Sequence, residues 1–221
     1  MYICNVIKTI YCKMKLLNPQ YWKNKIKKYA QDYYYESLKD KYSNGFFYRE
    51  LLAIMSKKKV IRSSTQINVV RSVNIVETKI KDIIGLHGEP NYDIIKLNDL
   101  NIKVLFYRKH LGKFKAKIEF HIHQNHLFFY SYTFSHLENK ERIIKLLKKK
   151  YNIKEKINIE NKCIIDEKNN AIFIDFNVRF SIYYISHKSR AITDITKHMN
   201  EISDQNKTRI EGYYKALFKR I

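Results

Sequence analysis

Apolar side chains recur along this chain with two periods, and the change from one to the other divides it. Asn18 and Pro19 read as a helix start, a capping side chain followed by proline in the first turn. Trp22, Ile26, Tyr29 and Tyr33 follow at three- and four-residue spacing, which predicts an amphipathic helix ending at Asn44-Gly45. Phe47, Leu51 and Ile54 predict a second, shorter helix over Phe46–Met55, and Lys57-Lys58-Lys59 a solvated connection. The stretch Ser63–Ile84 fits either period. Val73, Val76, Ile80 and Ile83 favour a helix over Val73–Ile84, ended by Gly85 and the Gly88-Glu89-Pro90 break.

After Pro90 the period falls to two. Tyr92–Leu97, Ile102–Lys109, Phe114–His123 and His126–Phe134 read as successive strands. Their turns fall at Asn98–Asn101, His110–Gly112 and Gln124-Asn125, the last a two-residue hairpin turn without the usual glycine. Glu138–Tyr151 returns to helical spacing, with acids early and Lys148, Lys149 and Lys150 late, as the helix dipole favours. Lys162–Asp166 is a strand and Glu167–Asn170 a turn. Ile172, Ile174, Phe176, Val178, Phe180, Ile182 and Tyr184 then alternate with polar residues, the pattern of one strand with a buried and a wet face. Arg190–Arg220 reads as one or two closing helices, punctuated near Gly212.

Helices, then consecutive strands, then a helix, more strands and helices imply an α+β fold. The expected architecture is a largely antiparallel β-meander sheet covered by helices on one face, with N-terminal and C-terminal helical segments. An N-terminal helical segment over 1–59 would pack on an α+β core over 60–221, the two forming one unit. No regular strand–helix alternation, glycine-rich phosphate loop or G-x-S-x-G elbow is present.

Composition narrows the function classes. The chain has 221 residues and a formal net charge of +22, from 43 Lys and Arg against 21 Asp and Glu. Such charge attracts polyanions. Yet 34 of those bases are Lys and only 9 are Arg, and Lys, Ile, Asn and Tyr together supply 103 residues. Those four are read from A/T-rich codons, so an A/T-rich genome accounts for much of the Lys. The excess is also spread evenly, with net charges of +9, +5 and +8 over residues 1–60, 61–136 and 137–221. Cys4, Cys12 and Cys163 fit no disulfide or zinc spacing, which points to a reducing, cytoplasmic setting. The longest run without Asp, Glu, Lys or Arg, Phe120–Leu137, carries His121, His136 and several amides and hydroxyls, so no membrane span is expected. Met1–Leu17 is interrupted by lysines and does not read as a signal peptide.

One constellation carries candidate chemistry. Strand alternation puts Glu119, His121 and His123 on one face. With Gln124-Asn125 as the turn, His123 lies opposite His126, His121 opposite Phe128 and Glu119 opposite Tyr130. Three imidazoles and a carboxylate suit zinc or iron, or acid–base catalysis, and make His121, His123, His126 and Glu119 the candidate residues of a hydrolase or nuclease. The plainer reading is a wet sheet face with no metal or cofactor. Phe128, Tyr130 and Tyr132, near Lys115 and Lys117, offer a platform for stacking RNA or DNA bases, and Lys148, Lys149 and Lys150 a phosphate-contacting helix end. The leading expectation is a non-enzymatic protein binding a polyanion, RNA or DNA. The others are the His-dependent or metal-dependent hydrolase and an inhibitor-like or immunity-like module for an acidic protein partner.

Overall fold

A computed structural model describes residues 35–42, 45–70, 73–97, 100–134, 140–176 and 179–218. Cys4, Cys12 and the stripe from Pro19 to Tyr33 lie outside the described residues. The chain divides into a unit of residues 1–41 and a larger unit of residues 42–221.

Among the described residues five α-helices and ten strands form. The helices are α1 (35–42), α2 (Phe46–Ser56), α3 (Ile80–His87), α4 (Lys140–Lys150) and α5 (Arg190–Phe218). The strands are β1 (Lys59–Arg62), β2 (Asn68–Val70), β3 (Val73–Asn74), β4 (Tyr92–Leu97) and β5 (Ile102–Leu111). They continue with β6 (Phe114–His123), β7 (His126–Phe134), β8 (Lys162–Ile165), β9 (Asn170–Asp175) and β10 (Phe180–Ser186). Eight of them make one sheet in the order β1-β8-β9-β10-β7-β6-β5-β4, and β2 and β3 pair separately. Every pair in the large sheet is antiparallel except β1 with β8. The fold is therefore α+β.

Both faces of the sheet are covered, not one. On the first face Phe120, Tyr130, Ile174 and Tyr184 pack with Ile83 of α3 and with Ile143 and Leu147 of α4. On the second, Tyr48 of α2 packs its ring at 5.5 Å from Phe128 and 5.6 Å from His121. Ala191, Ile192 and Ile195 of α5 are buried as well. Two covered faces explain why β9 and β10 are buried at nearly every position instead of alternating with solvent.

Three expectations are corrected by the chain's own hydrogen bonds. Val73–Ile84 is not one helix. Asn74 is buried and accepts from Asn170 Nδ2 at 2.8 Å, which holds Val73–Asn74 in β3, and Ile75–Glu77 turns as a short 3-10 helix. Helix α3 starts only where Asp82 accepts the Lys79 N–H at 2.9 Å. The alternation from Ile172 to Tyr184 is not one strand but the β9–β10 hairpin. Ile182 pairs with Ile174 and Tyr184 with Ile172, so the period survives the reversal. Lys59 is exposed as expected, but it is not part of a connection: it starts β1, whose backbone pairs with β8.

The β6–β7 turn forms at Gln124-Asn125, with φ of 50° and 69°. Both values lie in the left-handed region that a two-residue hairpin turn requires, and glycine is absent. Between His121 and Ile122 the register shifts. Ile122 pairs with Leu127 but His121 with Phe129, leaving Phe128 as one extra residue in β7.

The first face holds a cluster of tyrosines. Tyr130 and Tyr184 stack at 4.3 Å with 9° between their planes, and Tyr132 meets both edge-on at 5.9 Å. Burial pushes the Tyr132 hydroxyl up to about 12 and the other two well above the ordinary tyrosine range. The folded chain thus holds these protons more tightly than the unfolded chain. Stability is unaffected below about pH 10 and falls as pH rises above it. In an alkaline titration the phenolate absorbance of these rings is expected to appear together with loss of near-ultraviolet ellipticity. Independent ionisation at ordinary tyrosine pH with the fold intact would contradict the packing.

Candidate functional site

Three groups of side chains on or beside the second face of the sheet carry chemistry. The first comprises Glu119 and His121 with two tyrosines from the helical layer. Tyr42, at the end of α1, donates its hydroxyl to Glu119 Oε2 at 2.5 Å. Tyr48 Oη lies 2.7 Å from His121 Nδ1, and His121 Nε2 lies 3.8 Å from Glu119 Oε2. Rings surround the imidazole. Phe47 stacks on it at 6.0 Å, and Tyr42 and Phe129 meet it edge-on at 4.9 and 4.6 Å. Burial, then the Glu119 charge, pushes both tyrosine hydroxyls far above their ordinary range, so they remain donors at any physiological pH. His121 and Tyr48 have no exposed surface. A buried polar network of this kind fixes the placement of α2 on the sheet, although His121 Nε2 makes no hydrogen bond within it, and its buried rings leave no open face for a substrate.

The expected metal-like constellation does not assemble. The register shift puts His121 opposite Phe129 and Glu119 opposite Ser131, where Phe128 and Tyr130 were expected. His123 does pair with His126, but His126 is exposed and its Nδ1 lies 2.9 Å from the Gln124 carbonyl oxygen. His123 Nε2 lies 3.7 Å from Asp194 Oδ2 of α5. Among the described residues no three His, Cys, Asp or Glu side chains converge as a metal site.

The expected stacking platform is also divided. Phe128 and Tyr130 are buried, 1% and 2% exposed, on opposite faces of the sheet. Tyr132 stands beside Tyr130 in the tyrosine cluster. Neither Phe128 nor Tyr130 can offer a face to a base without opening the core. Lys148, Lys149 and Lys150 end α4 in the layer over the first face. Lys148 there donates to the Glu155 carbonyl at 2.7 Å, and the Lys150 ammonium sits 5.2 Å from the Tyr151 ring.

The second group is a basic strip that sequence reading found in part. On the end of the second face remote from His123, Lys117 pairs with Arg108 and Lys115 with His110 across β5 and β6. Thr133 and Ser181 continue the row across β7 and β10, their hydroxyl oxygens 3.1 Å apart. Arg108, His110, Lys115 and Arg179 are exposed and Lys117 is half-buried. Burial, then the positive charges of Arg179 and Arg108, lowers the Lys117 pKa, and Glu119 only partly offsets them. Asp175, opposite Ser181, stands at the strip's far side. The positions of Arg108 and His110 follow from pairing β5 and β6 about a Gly112-Lys113 turn, where Gly112 has φ 61°. Arg179 had no signal, because it follows a turn that the alternation concealed.

The third group lines a cavity of about 350 Å³ beside the β6–β7 turn, which includes His123, His126 and Arg190. No protein family, curated protein or solved structure matches this chain. Among the described residues no helix is long and apolar enough to cross a membrane.

The closed network makes a direct stability prediction. Tyr42→Phe removes a donor from a buried carboxylate and is expected to cost about 1.5–3 kcal/mol; Tyr48→Phe, on an imidazole, is expected to cost about 1 kcal/mol. Denaturant midpoints at constant slope will measure both. Changes within about 0.3 kcal/mol of zero for both variants would show that the network does not stabilise the fold.

Proposed function

We propose that this protein binds nucleic acid through its phosphates, with the strip of Arg108, Lys115, Lys117 and Arg179 as the contact surface. The observation that carries this reading is the crowding of those cations. Two of the chain's nine Arg stand beside the half-buried Lys117, whose protonation is depressed first by burial and then by the repulsion of their charges. An anion laid across the strip relieves that repulsion, which an evenly distributed charge coat would not produce. Arginine also supplies the bidentate geometry that phosphate favours, in a chain whose charge is otherwise mostly Lys.

The burial of Phe128 and Tyr130 shapes the expected specificity. With neither of these rings open to a base, binding through the strip rests on the backbone and is largely independent of base sequence. This is a binding activity and not a catalytic one, and the strip needs no cofactor. A cytoplasmic setting suits the buried Cys163, whose thiol burial pushes up to about 11 and keeps unreactive.

Filter binding or anisotropy with labelled RNA and DNA across a salt series tests the proposal. Affinity is expected to fall with log–log slopes near −0.9 per phosphate on duplex DNA and about −0.7 on single strands. The Arg108→Ala, Lys117→Ala, Arg179→Ala triple variant is expected to flatten the slope by about 2–3, with a similar loss on all sequences. Lys148→Ala, Lys149→Ala, Lys150→Ala removes the same charge from α4 and is expected to leave the slope unchanged. Equal losses from both variants would sink the strip as the site. An absence of binding at low salt would sink the function itself.

A further inference from the structure

The cavity at the other end of β6 stands apart from the strip. From Lys117 to His123 is six residues along one strand, or about 20 Å. The β6–β7 turn and the start of α5 form its walls. His123, Gln124, His126 and Arg190 supply the polar lining, and Val76 and Leu127 part of the apolar lining.

The hydrogen-bond directions around it are informative. A carbonyl oxygen only accepts, so at 2.9 Å from the Gln124 carbonyl the His126 Nδ1 is the protonated nitrogen of that ring. His126 Nε2 therefore carries the lone pair in the neutral ring and becomes a donor in the imidazolium. Asp194 Oδ2 lies 3.7 Å from both His123 Nε2 and Arg190 Nε, so one carboxylate aligns two groups of the cavity wall. Burial and the Arg190 charge hold the His123 imidazole below its ordinary pKa, against the pull of Asp194. Two amides in the first turn of α5 are already engaged. Ile192 N–H donates to the Ser189 carbonyl at 3.1 Å and Thr193 N–H to the same oxygen at 3.3 Å. Arg190 and the imidazoles of His123 and His126 line the cavity, with the Asp194 carboxylate beside two of them.

We propose that this cavity binds a phosphomonoester. Arg190 and the imidazoles of His123 and His126 take the oxyanion, and Val76 and Leu127 receive the organic body. Asp194 is a positioning residue, holding His123 and Arg190 side by side. A volume of about 350 Å³ accommodates a small organic phosphate. An oxyanion stabilises the His123 imidazolium, so binding takes up a proton there and tightens as pH falls. Up to tenfold in affinity per pH unit is expected for each proton taken up.

The test uses the full chain and two probes, inorganic sulfate and phenyl phosphate. Sulfate keeps its charge between pH 6 and 8, so its pH dependence reports the protein alone. The imidazole Hε1 resonances are followed by NMR and assigned with His123→Gln and His126→Gln. The expected result is saturable movement of the His123 and His126 resonances with one common dissociation constant, tighter at pH 6 than at pH 8. Phenyl phosphate is expected to bind more tightly than sulfate at pH 8. Arg190→Ala is expected to weaken both by about tenfold or more, while the strip triple variant leaves both constants unchanged. Uniform drift of all eight histidines without saturation, or full affinity in Arg190→Ala, would overturn the site. Equal affinity for the two probes would overturn the assignment to a phosphomonoester. Nucleic-acid binding by the strip is read in a separate assay, so failure of either proposal leaves the other measurable.

Discussion

One extra residue in β7 decides what each face of the sheet contains. Phe128 has no partner position on β6, because Ile122 pairs with Leu127 and His121 with Phe129. Side chains alternate with a period of two, so a one-residue shift exchanges faces for everything beyond it. Tyr130 therefore points to the side of Phe120 and Tyr184, and Phe129 to the side of His121. Without the bulge the Glu119–His121 pair would face the tyrosines of β7. With it, Ser131 stands opposite Glu119, and the large rings around His121 come from α1, α2 and the bulge itself. A carboxylate and an imidazole inside a core require partners, since an unsatisfied buried group costs about 1–3 kcal/mol, and more if charged. Tyr42 is hydrogen-bonded to Glu119 and Tyr48 to His121, and the latter ties α2 to the strand.

The same bulge separates what is legible in this sequence from what is not. Individual strands β4, β5, β6 and β7 follow from period-two patterns, and α4 from a period-three-and-four stripe with its charges ordered along the dipole. The Gln124-Asn125 turn follows from the two patterns that flank it. A bulge leaves no comparable mark. It depends on how Phe128 packs against Tyr48, a residue 80 positions earlier. The β9–β10 hairpin was hidden for a related reason. Its turn keeps the parity of the alternation, so Ile174 and Ile182 lie on one face whether the chain runs straight or doubles back. The local period reports the face a residue occupies, and it is silent about reversals that preserve that face.

Helix boundaries between Ser63 and Ile84 fail to show in the sequence for a different reason. Val and Ile fit both periods there, and the decision is made by hydrogen bonds from distant residues. Asp166 accepts from Ile67 N–H and from the Asn170 side chain, and Asn170 in turn donates to Asn74. These bonds link β2–β3 to the β8–β9 turn across about 100 residues of chain. Such a clamp overrides the modest helix preference of the segment, since propensity amounts to tenths of a kcal/mol per residue against about 1 kcal/mol or more per buried bond.

The charge of +22 acquires a different meaning once it has positions. Spread over 43 basic residues it says little, because codon composition can account for much of it. In the fold, a few of those residues do something the rest do not. Arg108 and Arg179 crowd a partly desolvated Lys117, and Arg190 shares Asp194 with a buried histidine. Three of the nine Arg are thus placed where a neighbouring group changes its ionisation or its geometry. Desolvation is the reason this matters. A fully hydrated charge interacts with anions through water and salt, whereas a charge flanked by protein on one side acts through a lower effective dielectric. The neutral stretch Phe120–Leu137 contains both His121 and the cavity's His123 and His126, and Lys117 of the strip stands three residues before it. Its closed His121 network is a strut between a basic strip at one end of β6 and an imidazole-lined cavity at the other.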